Sequence, residues 1–181
     1  NNWECALSEA AFMTGLERNA DVVHMTSYAP LMAHTEAWQW TPDLIWFDNL
    51  SAYGTTNYYV QKMFSNHAGT DLLKITEANA PLIGQKDIYA SLVKDSKLNK
   101  LYLKVVNTSK NSKPFQVDFT GAELLKNGTG MLLQSDDLQA LNSIEKPQFI
   151  SPKPFSFEMS KSKLEATIPA QALCIYTINL K

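Results

Sequence analysis

Trp38, Trp40, Trp46, Phe47 and Tyr53 fall within 16 residues, interspersed with Asp43, Asp48 and Asn49 and preceded by His34 and Glu36. Aromatic faces stack on sugar rings while carboxylates and amides take sugar hydroxyls, so this mixture suits a carbohydrate cleft. The segment also follows a candidate strand, and in α/β barrels the loops after the strands build the active site. Packing of the same aromatics onto neighbouring elements is the competing reading, because large aromatics dominate cores.

Breaking a glycosidic bond needs two carboxyl groups, about 5 Å apart in a retaining enzyme. No such pair is recognisable. Glu4, Glu9 and Glu17 lie on one candidate helix and read as solvated charge. Asp136 and Asp137 are adjacent, so in a strand they face opposite sides. Glu36 and Asp48 could meet across the aromatic loop, but nothing local requires it. His24, His34 and His67 have neither metal-ligand spacing nor cysteine partners, so no metal or cofactor is expected. His24, inside an apolar run, reads as a hydrogen-bonded core histidine. Asn127-Gly-Thr-Gly130 reads as a hairpin turn rather than a phosphate loop. Cys5 and Cys174 read as two buried free thiols, with a disulfide left open. Asn49, Asn107 and Asn127 head glycosylation-type triplets, a pattern common by chance.

Two kinds of periodicity position these residues. Trp3, Ala6, Leu7, Ala10 and Met13 recur at helical spacing, widened by Phe12 and Leu16, and predict a helix over 3–19. Asp21–Tyr28 is β-branched and short, and predicts a buried strand; Leu44–Phe47 predicts another short one. Thr55 to His67 returns to helical spacing with Thr55 or Thr56 as N-cap. From Asp71 onward, eight short runs separated by turn clusters predict an antiparallel sandwich: 72–76, 88–93, 100–108, 115–120, 131–134, 155–159, 164–168 and 173–180. The change of rhythm places a boundary near residues 67–71.

The lysines are scattered and formal net charge is -2, which excludes the basic face of a nucleic-acid binder. No apolar run approaches the roughly 18 to 20 residues of a membrane span. The helical pattern begins almost at Asn1 without an initiator Met or signal peptide, and reads as a piece of a longer protein.

Three stretches carry a specific resemblance: Ala10-Ala-Phe-Met-Thr-Gly-Leu-Glu-Arg-Asn19, Asp21-Val-Val-His-Met-Thr-Ser-Tyr-Ala-Pro-Leu31 and Tyr53-Gly-Thr-Thr-Asn-Tyr-Tyr-Val-Gln-Lys62. Their order and spacing resemble the α-L-arabinofuranosidases of glycoside hydrolase family 51, closely over 3–75 and only in strand pattern beyond. The resemblance implies a mainly β chain: residues 1–68 as the last helix-strand-helix segment of a (β/α)8 barrel, and 69–181 as a jelly-roll-like antiparallel β-sandwich. It implies an exo-acting, retaining parent enzyme that removes arabinofuranose from arabinan or arabinoxylan, outside the cell or in the periplasm. Both catalytic Glu residues would lie upstream, so none is expected in this chain. A substrate contact after strand eight would fall on Asp48, or on Asn49 one residue along, with Trp38, Trp40 and Trp46 near that rim. A carboxylate at 48 departs from the amide usual there. Two other readings concern the β half: a carbohydrate-binding module acting alone, or a purely structural sandwich. Homo-oligomerisation stays open.

Overall fold

A computed structural model describes residues 1–181. Helix α1 (Trp3–Arg18) starts where the Asn2 side chain accepts a hydrogen bond from Cys5 N, and stops at Asn19, with Arg18 in its last turn. Helix α2 (Thr56–Asn66) is capped by Thr55, whose side chain accepts from Tyr58 N and donates to the Leu44 carbonyl at 2.9 Å. Three short strands lie between the helices. β1 (Met32–His34) runs parallel to β2 (Ile45–Phe47), and β3 (Ala52–Gly54) is antiparallel to β2.

The second half contains β4 (Asp71–Leu73), a small hairpin of β5 (Thr76–Glu77) and β6 (Ala80–Pro81), then β7 (Ile88–Asp95), β8 (Lys100–Asn107), β9 (Lys113–Asp118), β10 (Asn127–Gln134), β11 (Lys153–Glu158), β12 (Lys163–Ile168) and β13 (Ala172–Asn179). Six of these form one antiparallel sheet in the order β11-β10-β13-β8-β7-β4, faced by the β12-β9 pair. All eight predicted runs land in this sandwich, so the chain is mainly β as the sequence patterning implied.

The six-stranded sheet is covered on both faces. Leu101, Leu103 and Val105 of β8 and Cys174, Tyr176 and Ile178 of β13 point into the sandwich, against Leu164 and Ile168 of β12. The alternate residues, Val106, Leu173 and Ile175, point the other way and meet Trp3, Ala6, Leu7, Ala10, Val60 and Phe64 of the two helices. The period of two explains this division, since successive side chains leave a strand on opposite faces. Trp3 is fully buried there, and its Nε1 donates to Gln171 O at 3.0 Å. Thus the helices replace solvent on one side of the sheet.

Several local expectations are corrected. Residues 21–28 form no strand; after a turn they run irregular, with Met25 87 % exposed. A strand needs a neighbour for its backbone groups, and none lies beside this run within the chain. The short parallel strand falls instead at Met32–His34. His24 is consequently exposed rather than a core histidine. Asn127–Gly130 is not a turn but the start of β10, because Gly128 and Gly130 lie opposite Phe157 and Phe155 of β11. Those rings occupy the space a side chain would take: a Cβ on either glycine would fall 2.2 Å from the facing ring. Cys174 is buried but Cys5 is exposed; both are free, and the six-stranded sheet separates them. Burial pushes the Cys174 thiol up to about 12, which leaves it unreactive. Phe12, expected on the apolar face of α1, is exposed as well.

Candidate functional site

The aromatic loop leaves β1 at His34 and re-enters the small sheet at Ile45. Its two ends are tied, by Thr35 N to Phe47 O at 2.9 Å and by Leu44 N to Pro30 O at 3.3 Å. Trp38 meets Trp46 edge-on, with ring centroids 6.2 Å apart and planes at 74°. Trp46 in turn lies across from Tyr53 in the β2–β3 register. Trp38 and Trp40 remain 50 % and 64 % exposed, so they are not consumed by packing. His34 stacks edge-on against Phe47 at 5.4 Å, and its Nδ1 accepts from Glu36 N.

Asp48 and Asn49 occupy the turn between β2 and β3. Asp48 Oδ1 accepts from Leu50 N at 2.7 Å and Ser51 N at 2.6 Å, the bonding pattern of an Asp-initiated turn. These backbone N–H groups, helped by nearby His34, hold its carboxyl below the usual carboxylate range. One oxygen shapes the turn while Asn49 stands exposed beside it. Trp38, Trp46 and Tyr53 are therefore brought together by the small sheet, Asp48 and Asn49 sit at the end of the same strand, and Trp40 projects alone. Asp48 is turned into its own loop rather than toward Glu36.

The helix carboxylates are not simply solvated. Glu17 accepts from the ammonium of Lys104, a fully buried β8 residue, and from Ser91 Oγ at 2.6 Å. Lys104 also donates to His67 O at 2.8 Å and lies over the Phe64 ring, so it joins α1, the end of α2 and the sheet. Glu9 accepts from Asn57 and Gln61 across the α1–α2 seam. Desolvation raises the Glu9 carboxyl above its ordinary range, while the two amides pull the other way. In the sequence Lys104 looks like the outward residue of an alternating strand. Tyr102 and Val106, two places to either side on the same face, are the hint that this face is covered.

A hollow of about 370 Å³ opens between the ends of α1 and α2 and contains two acids, Glu17 and Asp71. Both are engaged: Glu17 as above, and Asp71 Oδ2 by the hydroxyls of Thr70 and Ser96 at 2.7 and 2.8 Å. Both Glu17 oxygens and one Asp71 oxygen therefore tie structural elements together. No helix here is long and apolar enough to cross a membrane.

Comparison with known proteins bears on this arrangement. An extracellular exo-α-L-arabinofuranosidase of Streptomyces chartreusis is 52 % identical over 81 residues, 45 % of this chain and 10 % of that one. α-L-Arabinofuranosidase 1 of Arabidopsis thaliana is 30 % identical over 179 residues, covering 96 % of this chain and 26 % of the relative. An arabinose-bound family 51 α-L-arabinofuranosidase structure superposes with a TM-score of 0.89 at 30 % identity, over 99 % of this chain and 28 % of that one. The chain thus spans about a quarter of the length of its full-span relatives. With residues 1–171 also matching the model of the α-L-arabinofuranosidase C-terminal domain, the chain belongs to that family, the one carried by glycoside hydrolases of family 51.

Proposed function

We propose that the full-length protein is a retaining, exo-acting α-L-arabinofuranosidase that removes terminal arabinofuranose from arabinan or arabinoxylan through a covalent glycosyl-enzyme. The observation that carries this reading is similarity along almost the whole chain to proteins named for that activity. In this reading residues 1–68 are the closing helix-strand-helix unit of a (β/α)8 barrel, and 69–181 are the sandwich that buttresses it. The irregular, exposed run 21–28 fits such a unit: it has strand composition and lacks only a neighbour. The nucleophile and the acid/base Glu lie outside this chain. Occupation of Glu9, Glu17 and Asp71 by structural bonds supports that view.

Within this chain the substrate-facing residues are Asp48 or Asn49, with Trp38, Trp40 and Trp46 at the rim. The exposed Trp38 and Trp40 favour that role, because two indoles on one loop supply faces on which sugar rings stack. The sandwich itself is structural: the central strands of its large sheet are buried on both faces, and the outward side of the β9–β12 pair presents Gln116, Asp118, Glu165 and Thr167 rather than aromatic rings. An extracellular or periplasmic location suits a polysaccharide substrate, and the Streptomyces relative is named extracellular.

Two assays test the reading. The full-length enzyme should release a chromophore from an aryl α-L-arabinofuranoside, while residues 1–181 alone should not; turnover by the shorter chain would show that the carboxylates were misplaced. Titration of arabinan against tryptophan fluorescence should saturate for the full-length enzyme. Residues 69–181 carry no tryptophan, so their binding is read by isothermal titration calorimetry, where saturation by that segment alone would favour the binding-module reading instead.

A further inference from the structure

Residues 135–152 join β10 to β11 without helix or strand, and as a strap they reach from the sandwich to the helical half. Trp3 N donates to Ala140 O at 2.8 Å and Glu4 N to Leu138 O at 2.9 Å, so the strap satisfies two free donors at the start of α1. The Asn2 amide adds a bond to Gln139 Oε1 at 2.9 Å. Ala140 and Ile150 are buried in the core around Trp3, which holds the strap down. Between them Asn142, 2 % exposed, uses its oxygen and its amide donors together. Its Oδ1 accepts from Ile150 N at 2.8 Å, and its Nδ2 donates to Ile150 O and to Gly54 O, each at 3.0 Å. The two bonds to Ile150 close the strap's own loop. The bond to Gly54 leaves the strap.

Gly54 ends β3, an edge strand of the small sheet. The bonds from Asp48 N to Ser51 O at 2.9 Å and from Thr55 N to Leu44 O at 3.1 Å set the phase of the β2–β3 ladder. In that phase Tyr53 and Trp46 form a hydrogen-bonded pair, while Gly54 turns its N–H and carbonyl to the open side of β3. An edge carbonyl without a neighbouring strand must find its donor elsewhere, and here the donor is the Asn142 amide. The amide thus stands where a fourth strand would. The strap also comes close beyond that bond: the Tyr53 phenol, raised chiefly by burial, feels the Glu145 carboxylate. Strands of three residues hold each other weakly, so a single added tie matters.

We propose that Asn142 is a positioning residue: by donating to Gly54 O from the sandwich's strap, it fixes β3 and, through β3, the part of the substrate site formed by Trp46, Asp48 and Asn49. The proposal rests on the functional reading above, and it gives the sandwich a part in substrate binding through its strap. Trp46 is carried by its pairing with Tyr53, and Trp38 by its edge-on contact with Trp46 at 6.2 Å. Asp48 and Asn49 belong to the turn that joins β2 to β3. With Gly54 O held, this hairpin keeps one placement against the start of α2. With it released, the outer strand loses its tie and the rim is in place in a smaller fraction of molecules. Bond cleavage belongs to carboxylates outside this chain, so binding weakens while turnover of the bound sugar is kept.

The test uses the full-length enzyme and its Asn142→Ala, Asn142→Asp and Asn142→Ser variants. Aspartate keeps the size and the acceptor for Ile150 N but has no N–H, and the serine hydroxyl stops one bond short of the position of Nδ2. KM for an aryl α-L-arabinofuranoside and for arabinan should rise about three- to tenfold, the range by which losing one hydrogen bond lowers the population of the held hairpin. The kcat should stay within about twofold. In hydrogen–deuterium exchange of the same proteins, the amides of 45–55 should exchange faster while those of β8 and β13 are unchanged. KM does not depend on how much of a variant is folded, so partial misfolding cannot imitate this result. Unchanged KM, a loss confined to kcat, or unaltered exchange at 45–55 would each overturn the assignment. An inactive wild type would overturn the functional reading, whereas an active wild type with unaltered variants overturns the Asn142 role alone.

Discussion

Removing the carboxylate from the Glu17–Lys104 pair should damage the fold more than removing the ammonium. Lys104 has a side chain 0 % exposed, whereas that of Glu17 is 19 % exposed. In Glu17→Gln the ammonium stays sealed beneath the helices without a counter-charge, facing only neutral groups: His67 O, the Phe64 ring and the new amide. Breaking a buried pair in this way costs about 3–5 kcal/mol. For a chain of this length that lowers the melting temperature by roughly 10 °C. In Lys104→Met the stem still fills its slot, and Glu17 can turn its charge toward solvent. The loss is then about 1–2 kcal/mol, chiefly the charged hydrogen bond and an uncovered His67 carbonyl. The double variant should resemble Lys104→Met, so the coupling energy equals the cost of Glu17→Gln alone, about 3–5 kcal/mol. Urea unfolding of the wild type, both single variants and the double variant completes the cycle. The pH dependence adds a second check. Burial pulls the Lys104 ammonium below its ordinary 10.5, against the upward pull of Glu17. A depressed lysine loses its proton first in the folded state, so its penalty shrinks as pH rises toward 10.5. The Glu17→Gln deficit should narrow over that range. Equal losses in the two single variants, or strict additivity in the double, would refute the account.

Three further outcomes follow from the same geometry. Trp3→Ala empties a fully buried site between α1 and β13, and should cost about 3–5 kcal/mol in urea unfolding; a loss under about 1 kcal/mol would mean that the helices are not packed on the sheet as described. Gly130→Val places a side chain where the Phe155 ring lies, and should destabilise by about 1–3 kcal/mol. Adding Phe155→Leu should recover part of that, and no recovery would count against the ring-over-glycine contact. Glu9, raised above 4.5 by burial, keeps its proton in the folded state to higher pH than in the unfolded state. Its desolvation penalty therefore fades as pH falls through the folded value toward 4.5, and the wild type should gain stability relative to Glu9→Gln across that interval. A pH-independent difference between the two proteins would contradict this.

Residue order alone determined the elements whose own side chains define a period. The α1 stripe, the start of α2 at Thr55 or Thr56 and the eight runs of the sandwich were legible because 3.6- and 2-residue repeats record which side of an element meets a core. The gathering of Trp38, Trp46, Asp48 and Asn49 was legible too, since a short strand and its turn keep near neighbours together. Tertiary structure decided what lies opposite each face. Lys104 reads as outward and is sealed in, because two helices far away in sequence cover that face of β8. Gly128 and Gly130 read as a turn and form a strand, because rings from β11 fill the space above them. Asp21–Tyr28 reads as a strand and is irregular, because period and β-branching describe a willingness to pair while pairing itself needs a second chain segment.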